Sequence, residues 1–373
     1  MGEPPARIGD PLGAVETPAL VVDLDAFDRN LGKMARFAEE AGIGLRPHAK
    51  MHRSAEVARR QMAAGAVGLS AQTVGEAEAL VRGGIGDVLV TNEVVSPAKL
   101  ARLAALAREV RIGLCFDSAD AVTAASDAAR HAGTVLAGLV EIEVGMGRCG
   151  AAPGSAARDL ARRIADAPGL RFAGLQAYHG RAQHLHEPAD RERAIAGAVE
   201  AVRATLACLH ADGLACEIVG GAGTGTFRLE AASGVYTEIQ PGSYLFMDGE
   251  YAGIGGGDGR GYREFEHALF VLATVMSEAG RDFVVLDAGL KSCSAEKGLP
   301  GVYGRPGLEV VGCSDEHAKV SVAPGAPRPR LRDQVALIPG HCDPTVNLHD
   351  WIVAVRHGQV EALWRVDARG ASR

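Results

Sequence analysis

Two short segments near opposite ends of the chain carry residue types that do chemistry. Arg46-Pro47-His48-Ala49-Lys50 ends an apolar run in a lysine, and Gly340-His341-Cys342-Asp343-Pro344 sets a histidine and a carboxylate two residues apart. A lysine at the C-terminal end of a strand can hold a carbonyl cofactor as an imine, and a His-x-Asp pair can hold a divalent cation against a substrate oxygen. Together they suit chemistry at an amino acid bearing a β-hydroxyl. Each has a plainer reading, Lys50 as a solvated surface lysine and Asp343 as a turn residue before Pro344. In an extended strand His341 and Asp343 share a face and Cys342 points the other way. One imidazole and one carboxylate leave positions open for water and substrate. The oxygen ligand suits Mg²⁺ or Mn²⁺, with Co²⁺ and Zn²⁺ also compatible.

A parallel barrel is the element pattern that would bring these segments together. Apolar, β-branched runs at 44–49, 67–71, 87–91, 110–116, 136–144, 172–178, 217–221 and 236–239 alternate with helix-periodic stretches at 24–40, 54–64, 73–82, 97–107, 119–131, 156–165 and 191–210. That alternation predicts parallel strands joined by crossover helices, an eight-stranded (β/α)8 TIM barrel. After about residue 255 the texture changes to runs at 268–276, 283–286, 335–338, 351–355 and 360–366 separated by Gly and Pro turns, as an antiparallel β domain requires. The expected division is therefore 1–24 as an N-terminal segment going with the β domain, 25–255 as the barrel, and 256–373 as a C-terminal β domain carrying the metal site. Barrel chemistry sits at the C-terminal strand ends, where this chain places His48, Lys50, Gln72, Asn92, Glu93, Arg148, Gln176, Tyr178 and His179. In a barrel mouth near other cations, Lys50 is expected to have a lowered pKa.

Two glycine-bearing loops follow the last two strands, Gly220-Gly221-Ala222-Gly223-Thr224-Gly225-Thr226 and Gln240-Pro241-Gly242-Ser243-Tyr244. Barrels commonly cradle a phosphate there with backbone N–H groups, and Thr224, Ser243 and Tyr244 add hydroxyl donors. A mobile loop is the plainer reading of either alone. Neither is a P-loop or a dinucleotide fingerprint, which disfavours ATP and NAD.

Composition narrows the class further. The chain has 373 residues, 39 Lys and Arg against 46 Asp and Glu, and a net charge of −7 without long basic runs, so no nucleic acid or anionic membrane is expected as partner. Seven scattered cysteines without Cys-x-x-Cys spacing indicate neither a disulfide framework nor a structural zinc site, and fit a reducing cytoplasm. No signal-peptide core is seen, and no run is expected to reach the ~18 to 20 apolar residues of a membrane span, so a soluble protein is expected.

Read in order, Thr17-Pro18-Ala19-Leu20-Val21-Val22-Asp23, Arg46 to Lys50, Gly145-Met146-Gly147-Arg148-Cys149-Gly150, Gln176-Ala177-Tyr178 and Pro339 to His349 resemble the fold-type III pyridoxal-phosphate enzymes of the D-threonine aldolase and D-serine dehydratase group over nearly the whole chain. The tail from Gly340 to Trp351, with Cys313-Ser314-Asp315-Glu316-His317, is most similar to the 3-hydroxy-D-aspartate aldolases within that group. The resemblance implies an alanine-racemase-like barrel with a β domain, a homodimer, and two cofactors, pyridoxal 5'-phosphate and a divalent metal. It implies Lys50 as the imine lysine, Arg148 beside the cofactor ring, and Gln72, Tyr178, Thr224, Gly242, Ser243 and Tyr244 as cofactor contacts. His341 and Asp343 match the metal pair, and His184 matches a catalytic base; an ordinary loop histidine is the alternative. Dehydratases of the group tend to carry cysteine where this chain has Asp343, so the implied reaction is cleavage of a D-3-hydroxy-α-amino acid to glycine and an aldehyde, with 3-hydroxy-D-aspartate giving glyoxylate. D-Threonine aldolase and D-serine or 3-hydroxyaspartate dehydratase activities are the alternatives, and a non-catalytic pyridoxal-phosphate carrier is a third. A distal substrate carboxylate would need a cation such as His52, Arg53 or the metal.

Overall fold

In the first predicted strand, Pro47 has no N–H to give to a ladder, so regular pairing stops after Gly44–Leu45. The chain nevertheless stays extended, with Arg46 N–H donating to the Ile239 carbonyl and Ser70 N–H donating to that of Pro47. The computed structural model, which describes residues 2–255, 261–279 and 282–373, continues from this strand into a parallel sheet. Its other strands are Leu69–Ala71, Asp87–Glu93, Arg111–Phe116, Leu136–Glu141, Leu170–Ala177, Ile218–Gly221 and Glu238–Ile239. The first strand pairs with the last, and a bridge between His48 and Ser70 joins it to the second, so eight parallel strands curl into a barrel. All eight predicted runs are strands, with ends moved by a few residues.

Charge fills the barrel end away from the loops that follow the strands. The buried Arg46 guanidinium donates to Glu238 (Nε–Oε2 2.6 Å) and to Asp87 (Nη1–Oδ1 2.6 Å), and Asp87 also meets Arg111 at 2.9 Å. Both carboxylates start their strands. A buried cation is tolerable only when its donors are matched in this way, so the ionic plug belongs to the fold rather than to the chemistry.

Ala19–Asp23 pairs antiparallel with Leu269–Ser277 and parallel with Trp351–Arg356, which puts the N-terminal strand in the second sheet. Asp23 then caps the helix Leu24–Ala41, its Oδ1 accepting from the N–H groups of Asp25 and Ala26. The antiparallel sheet also contains Phe283–Leu286, Gln334–Ile338 and Gln359–Arg365. Gly301–Val302, Leu308–Cys313 and Ala318–Val322 join it as well. These last three strands escape the sequence pattern because they are short or half-exposed.

Leu20, Val22, Phe27, Leu245, Phe246, Val271 and Trp364 form one buried cluster with Met51 and Ile239 of the barrel mouth. Each such side chain contributes roughly 1.5–3 kcal/mol on burial, so this shared core fixes the antiparallel sheet over the C-terminal ends of the barrel strands. The helix Pro188–Ala211 is, by length and composition alone, apolar enough to cross a membrane, although Asp190, Arg191, Glu192, Arg193, Glu200 and Arg203 interrupt any continuous apolar run. Here it packs as a barrel helix through Ile195, Val202 and Leu209.

Candidate active site

At the barrel mouth, under the antiparallel sheet, lies a cleft lined by His48, Lys50, Gln72, Arg148, Tyr178, His184, Gly223, Thr224, Gly242, Ser243, His341 and Asp343 among others. Lys50 sits in a tight turn, Ala49–Met51, directly after the first strand. His48 fixes that turn. Its Nδ1 accepts from the Lys50 N–H at 3.3 Å, while Nε2 meets Gln72 Oε1 at 3.2 Å and Thr91 Oγ1 at 3.0 Å. Burial and the Lys50 charge hold His48 well below the usual histidine range, so the ring is neutral. The Lys50 ammonium reaches the cleft and stands 3.9 Å from Asp343 Oδ2. Burial works to lower its pKa, but the Asp343 carboxylate and the Tyr178 hydroxyl outweigh burial and raise it. The expected lowering is thus corrected. What decides the sign is a carboxylate that folding brings from 293 positions away.

The metal-type pair also folds differently from the extended strand expected. His341 is the residue before a short helix, Cys342–Val346, and Asp343 lies in its first turn. Buried Asp248 dictates this geometry, accepting from the Cys342 N–H at 2.9 Å and from the Tyr251 N–H at 3.0 Å. Burial pushes Asp248 up to about 6 against those two donors. The result still brings His341 Nε2 within 3.7 Å of Asp343 Oδ1, while His341 Nδ1 meets Glu296 Oε2 at 2.9 Å. A carboxylate on the far ring nitrogen fixes Nε2 as the lone-pair donor, the arrangement that cation-binding histidines use.

On the adjoining wall His184 ends a turn, Gly180–His184, pinned by the buried Gln183 side chain. Gln183 Nε2 donates to Thr226 Oγ1 at 2.7 Å, and its Oε1 accepts from the Gly225 N–H at 3.0 Å. A Cβ on Gly223 would stand 2.6 Å from that Oε1. Close approach by Gln183 therefore explains part of the glycine pattern that was read as a phosphate signal. His184 Nδ1 lies 3.1 Å from Glu250 Oε1, and the same oxygen is 3.5 Å from Lys297 Nζ. Burial lowers the His184 pKa despite Glu250, with Lys297 adding to the lowering, so the ring is neutral and its Nε2 can accept a proton.

The two loops touch at the cleft. Among the described residues the N–H groups of Gly223, Thr224, Gly242 and Ser243 find no protein acceptor, whereas Thr224 Oγ1 accepts from the Tyr244 N–H at 2.9 Å. Main-chain N–H groups without a protein acceptor are what an anion cradle requires. Tyr244 is a correction: its side chain is fully buried, packs on Phe265, and meets Gln61 Nε2 through its hydroxyl at 3.2 Å, so it offers no hydroxyl to the cleft. Behind the cradle, Gln176 and Gln240 exchange two amide hydrogen bonds at 2.8 and 3.0 Å. Arg148 stands 3.7 Å from Glu141. Burial and the nearby Glu93 carboxylate push Glu141 up to about 8, so that carboxyl pair retains a proton at neutral pH.

His52 and Arg53 do not serve the cleft. His52 is fully buried and pushed down to about 4 by that burial, and Arg53 is spent on Glu76 (2.9 Å) and Asn347 (2.8 Å). Among the lysines and arginines that do line the cleft, beside Lys50 and Arg148, is Lys297. Neither it nor Glu250, Glu296 or Asp248 belongs to a motif legible in the sequence.

Residues 22–250 match the family model for the alanine racemase N-terminal domain, and residues 268–355 match that for a putative serine dehydratase domain. The chain is 48% identical over 370 residues to a D-threonine aldolase of Arthrobacter sp., covering 99% of this chain and 97% of the other. It is 45% identical over 370 residues to a 3-hydroxy-D-aspartate aldolase of Paracoccus denitrificans, covering 98% and 95%. The crystal structure of a D-threonine aldolase from Filomicrobium marinum superposes with a TM-score of 0.96 at 45% identity, covering 99% of both chains. More distant, at 28% identity and a TM-score of 0.83 with 95% and 98% coverage, is the D-threo-3-hydroxyaspartate dehydratase of Delftia sp.. That enzyme has been solved with alanine replacing either a histidine or a cysteine two positions apart, the cysteine variant in a metal-free form.

Proposed function

This chain belongs to the fold-type III pyridoxal-phosphate family that joins an alanine racemase N-terminal domain to a serine dehydratase domain, and on that premise we propose that it is an aldolase cleaving D-3-hydroxy-α-amino acids, 3-hydroxy-D-aspartate to glycine and glyoxylate above all. One observation carries this reading: Lys50, His184, His341 and Asp343 line a single cleft. The 48% identity to a D-threonine aldolase supports a second substrate, D-threonine, giving glycine and acetaldehyde. A carboxylate at 343, where the dehydratase pattern has a thiol, disfavours expulsion of the hydroxyl and release of ammonia.

The residues fit both expected groups. Lys50 would hold the cofactor aldehyde through Nζ, the N–H groups of Gly223, Thr224, Gly242 and Ser243 would hold the phosphate, and Gln72, Arg148 and Tyr178 would flank the ring. When bound, pyridoxal phosphate supplies an electron sink for the pair left by the broken Cα–Cβ bond, and a divalent cation, Mg²⁺ or Mn²⁺, lowers the pKa of the substrate's β-hydroxyl. His341 Nε2 and Asp343 would hold that cation. Neutral His184 accepts the β-hydroxyl proton at Nε2, with Glu250 fixing the tautomer through Nδ1. In this reading 25–255 serves the cofactor and 256–373, with 1–24, brings the metal ligands; the protein works as a cytoplasmic homodimer, in keeping with seven free cysteines. Residues 256–260, at that boundary, lie outside the described residues.

Incubating the cofactor- and Mg²⁺-loaded protein with D-3-hydroxyaspartate and with D-threonine, and identifying products by NMR, tests the assignment. Glycine plus an aldehyde is expected; ammonia plus a keto acid would overturn it. Glu250→Ala should lower kcat by about 10²-fold, the low end of a general base's contribution, with KM little changed. Glu250→Gln, which keeps an acceptor without the charge, should lose less. A raised KM at constant kcat in steady-state assays would show that Glu250 binds substrate instead.

A further inference from the structure

We propose that Lys297 is the specificity-determining residue of this cleft, receiving a carboxylate on the substrate's β-carbon, so that the preferred substrate is a 3-hydroxy dicarboxylic amino acid. The inference rests on the aldolase reading and names the substrate class within it. Among the described residues, the lysines and arginines lining the cleft are Lys50, Arg148 and Lys297. In the aldolase reading Lys50 holds the cofactor aldehyde and Arg148 flanks its ring, which leaves Lys297 for the rest of the substrate. Lys297 comes from the loop between the strands Phe283–Leu286 and Gly301–Val302.

Its position is set from two sides. Nζ lies 3.5 Å from Glu250 Oε1, the atom that holds His184, and 3.6 Å from Glu296 Oε1. Glu296 Oε2 in turn holds His341 at 2.9 Å. The ammonium therefore stands between the proposed base and the proposed metal ligand, both of which address the substrate's β-hydroxyl, and so beside whatever else the β-carbon carries. Separations of 3.5 and 3.6 Å make both contacts long ion pairs that hold the ammonium loosely. An ammonium has three donors, so one remains for a ligand beside the two glutamates. Lys297 is also about two-fifths exposed.

The surrounding charge makes the residue discriminating. With Lys297 neutralised, Glu250 and Glu296 would face an incoming distal carboxylate without compensation, and like charges brought together disfavour the wrong partner strongly. The methyl group of D-threonine meets no such penalty. Lys297 removal should therefore change the preference between the two substrates, not merely the rate.

The test compares the loaded wild type with Lys297→Met, Lys297→Arg and Lys297→Glu. For Lys297→Met, the ratio of kcat/KM for D-3-hydroxyaspartate to that for D-threonine should fall by about 30-fold or more. Lys297→Glu should lower the ratio further, and Lys297→Arg should keep most of it. An equal loss on both substrates would overturn the proposal, because it would assign Lys297 to the α-carboxylate that they share. Calorimetric binding of D-malate, which has the hydroxyl and both carboxylates but no amine, gives a readout without turnover: affinity should fall about tenfold or more in Lys297→Met. Unchanged D-malate affinity would overturn the carboxylate site whether or not the protein proves to be an aldolase. D-Malate affinity lost in Lys297→Met, with a wild type that binds D-malate but cleaves neither amino acid, would overturn the aldolase reading and keep the carboxylate site.

Discussion

Lys50→Ala is expected to abolish turnover, by about 10⁴-fold or more, together with the visible absorption that a lysine-held carbonyl cofactor gives. The turn that presents Lys50 is held by main-chain and His48 contacts, none of which uses Nζ, so the rest of the cleft should keep its shape. Among the described residues Nζ has one ionic contact, 3.9 Å from Asp343, and the lysine side chain is 39% exposed. A pair of that kind is worth about 0–1 kcal/mol. The variant should therefore unfold at nearly the wild-type temperature while losing activity, which separates a chemical role from a structural one. Phosphate binding should survive, because the anion cradle is built from main-chain N–H groups of other loops. Retained turnover in a folded Lys50→Ala protein would remove the central assignment.

The barrel is legible in the sequence because each strand is a short β-branched run bounded by a helix with its own period. Only local chemistry blurred the ends, as where Pro47 cuts the first ladder to two residues. The site was legible wherever a motif fixes its own conformation. Lys50 follows a strand, and the glycine loops follow two more. It was illegible wherever a distant residue decides. Asp248 folds the His341 segment into a helix start rather than a strand, across 94 positions of sequence. The sign of the Lys50 shift depends on Asp343, and the tautomer of His184 on Glu250. Tyr244 shows the same limit at short range, since a single tight turn sends Ser243 to the cleft and its neighbour into the core. Glu250 and Lys297 acquire meaning only when the antiparallel sheet is laid over the barrel mouth.

Asp343→Ala should leave the cofactor bound but lower kcat/KM by about 10²–10⁴-fold, the several kcal/mol that Lewis-acid assistance supplies, and should abolish the response to added Mg²⁺ or Mn²⁺. His341 alone keeps its Nε2 lone pair, held outward by Glu296, yet one imidazole is a poor site for a hard cation. Asp343→Cys is the sharper variant. It installs a thiolate beside the imidazole, a ligand set that favours Zn²⁺ over Mg²⁺, and it reproduces the His-x-Cys spacing of the dehydratase variants. Chelator treatment followed by titration with each ion, with products followed by NMR, reads out both effects. Zn²⁺-supported activity that still gives glycine would assign the reaction type to the rest of the cleft, His184 and Glu250 in particular. Ammonia in place of glycine would make residue 343 itself the switch between aldolase and dehydratase. A wild-type response to Mg²⁺ in Asp343→Ala would place the cation elsewhere and dissolve the His341–Asp343 assignment.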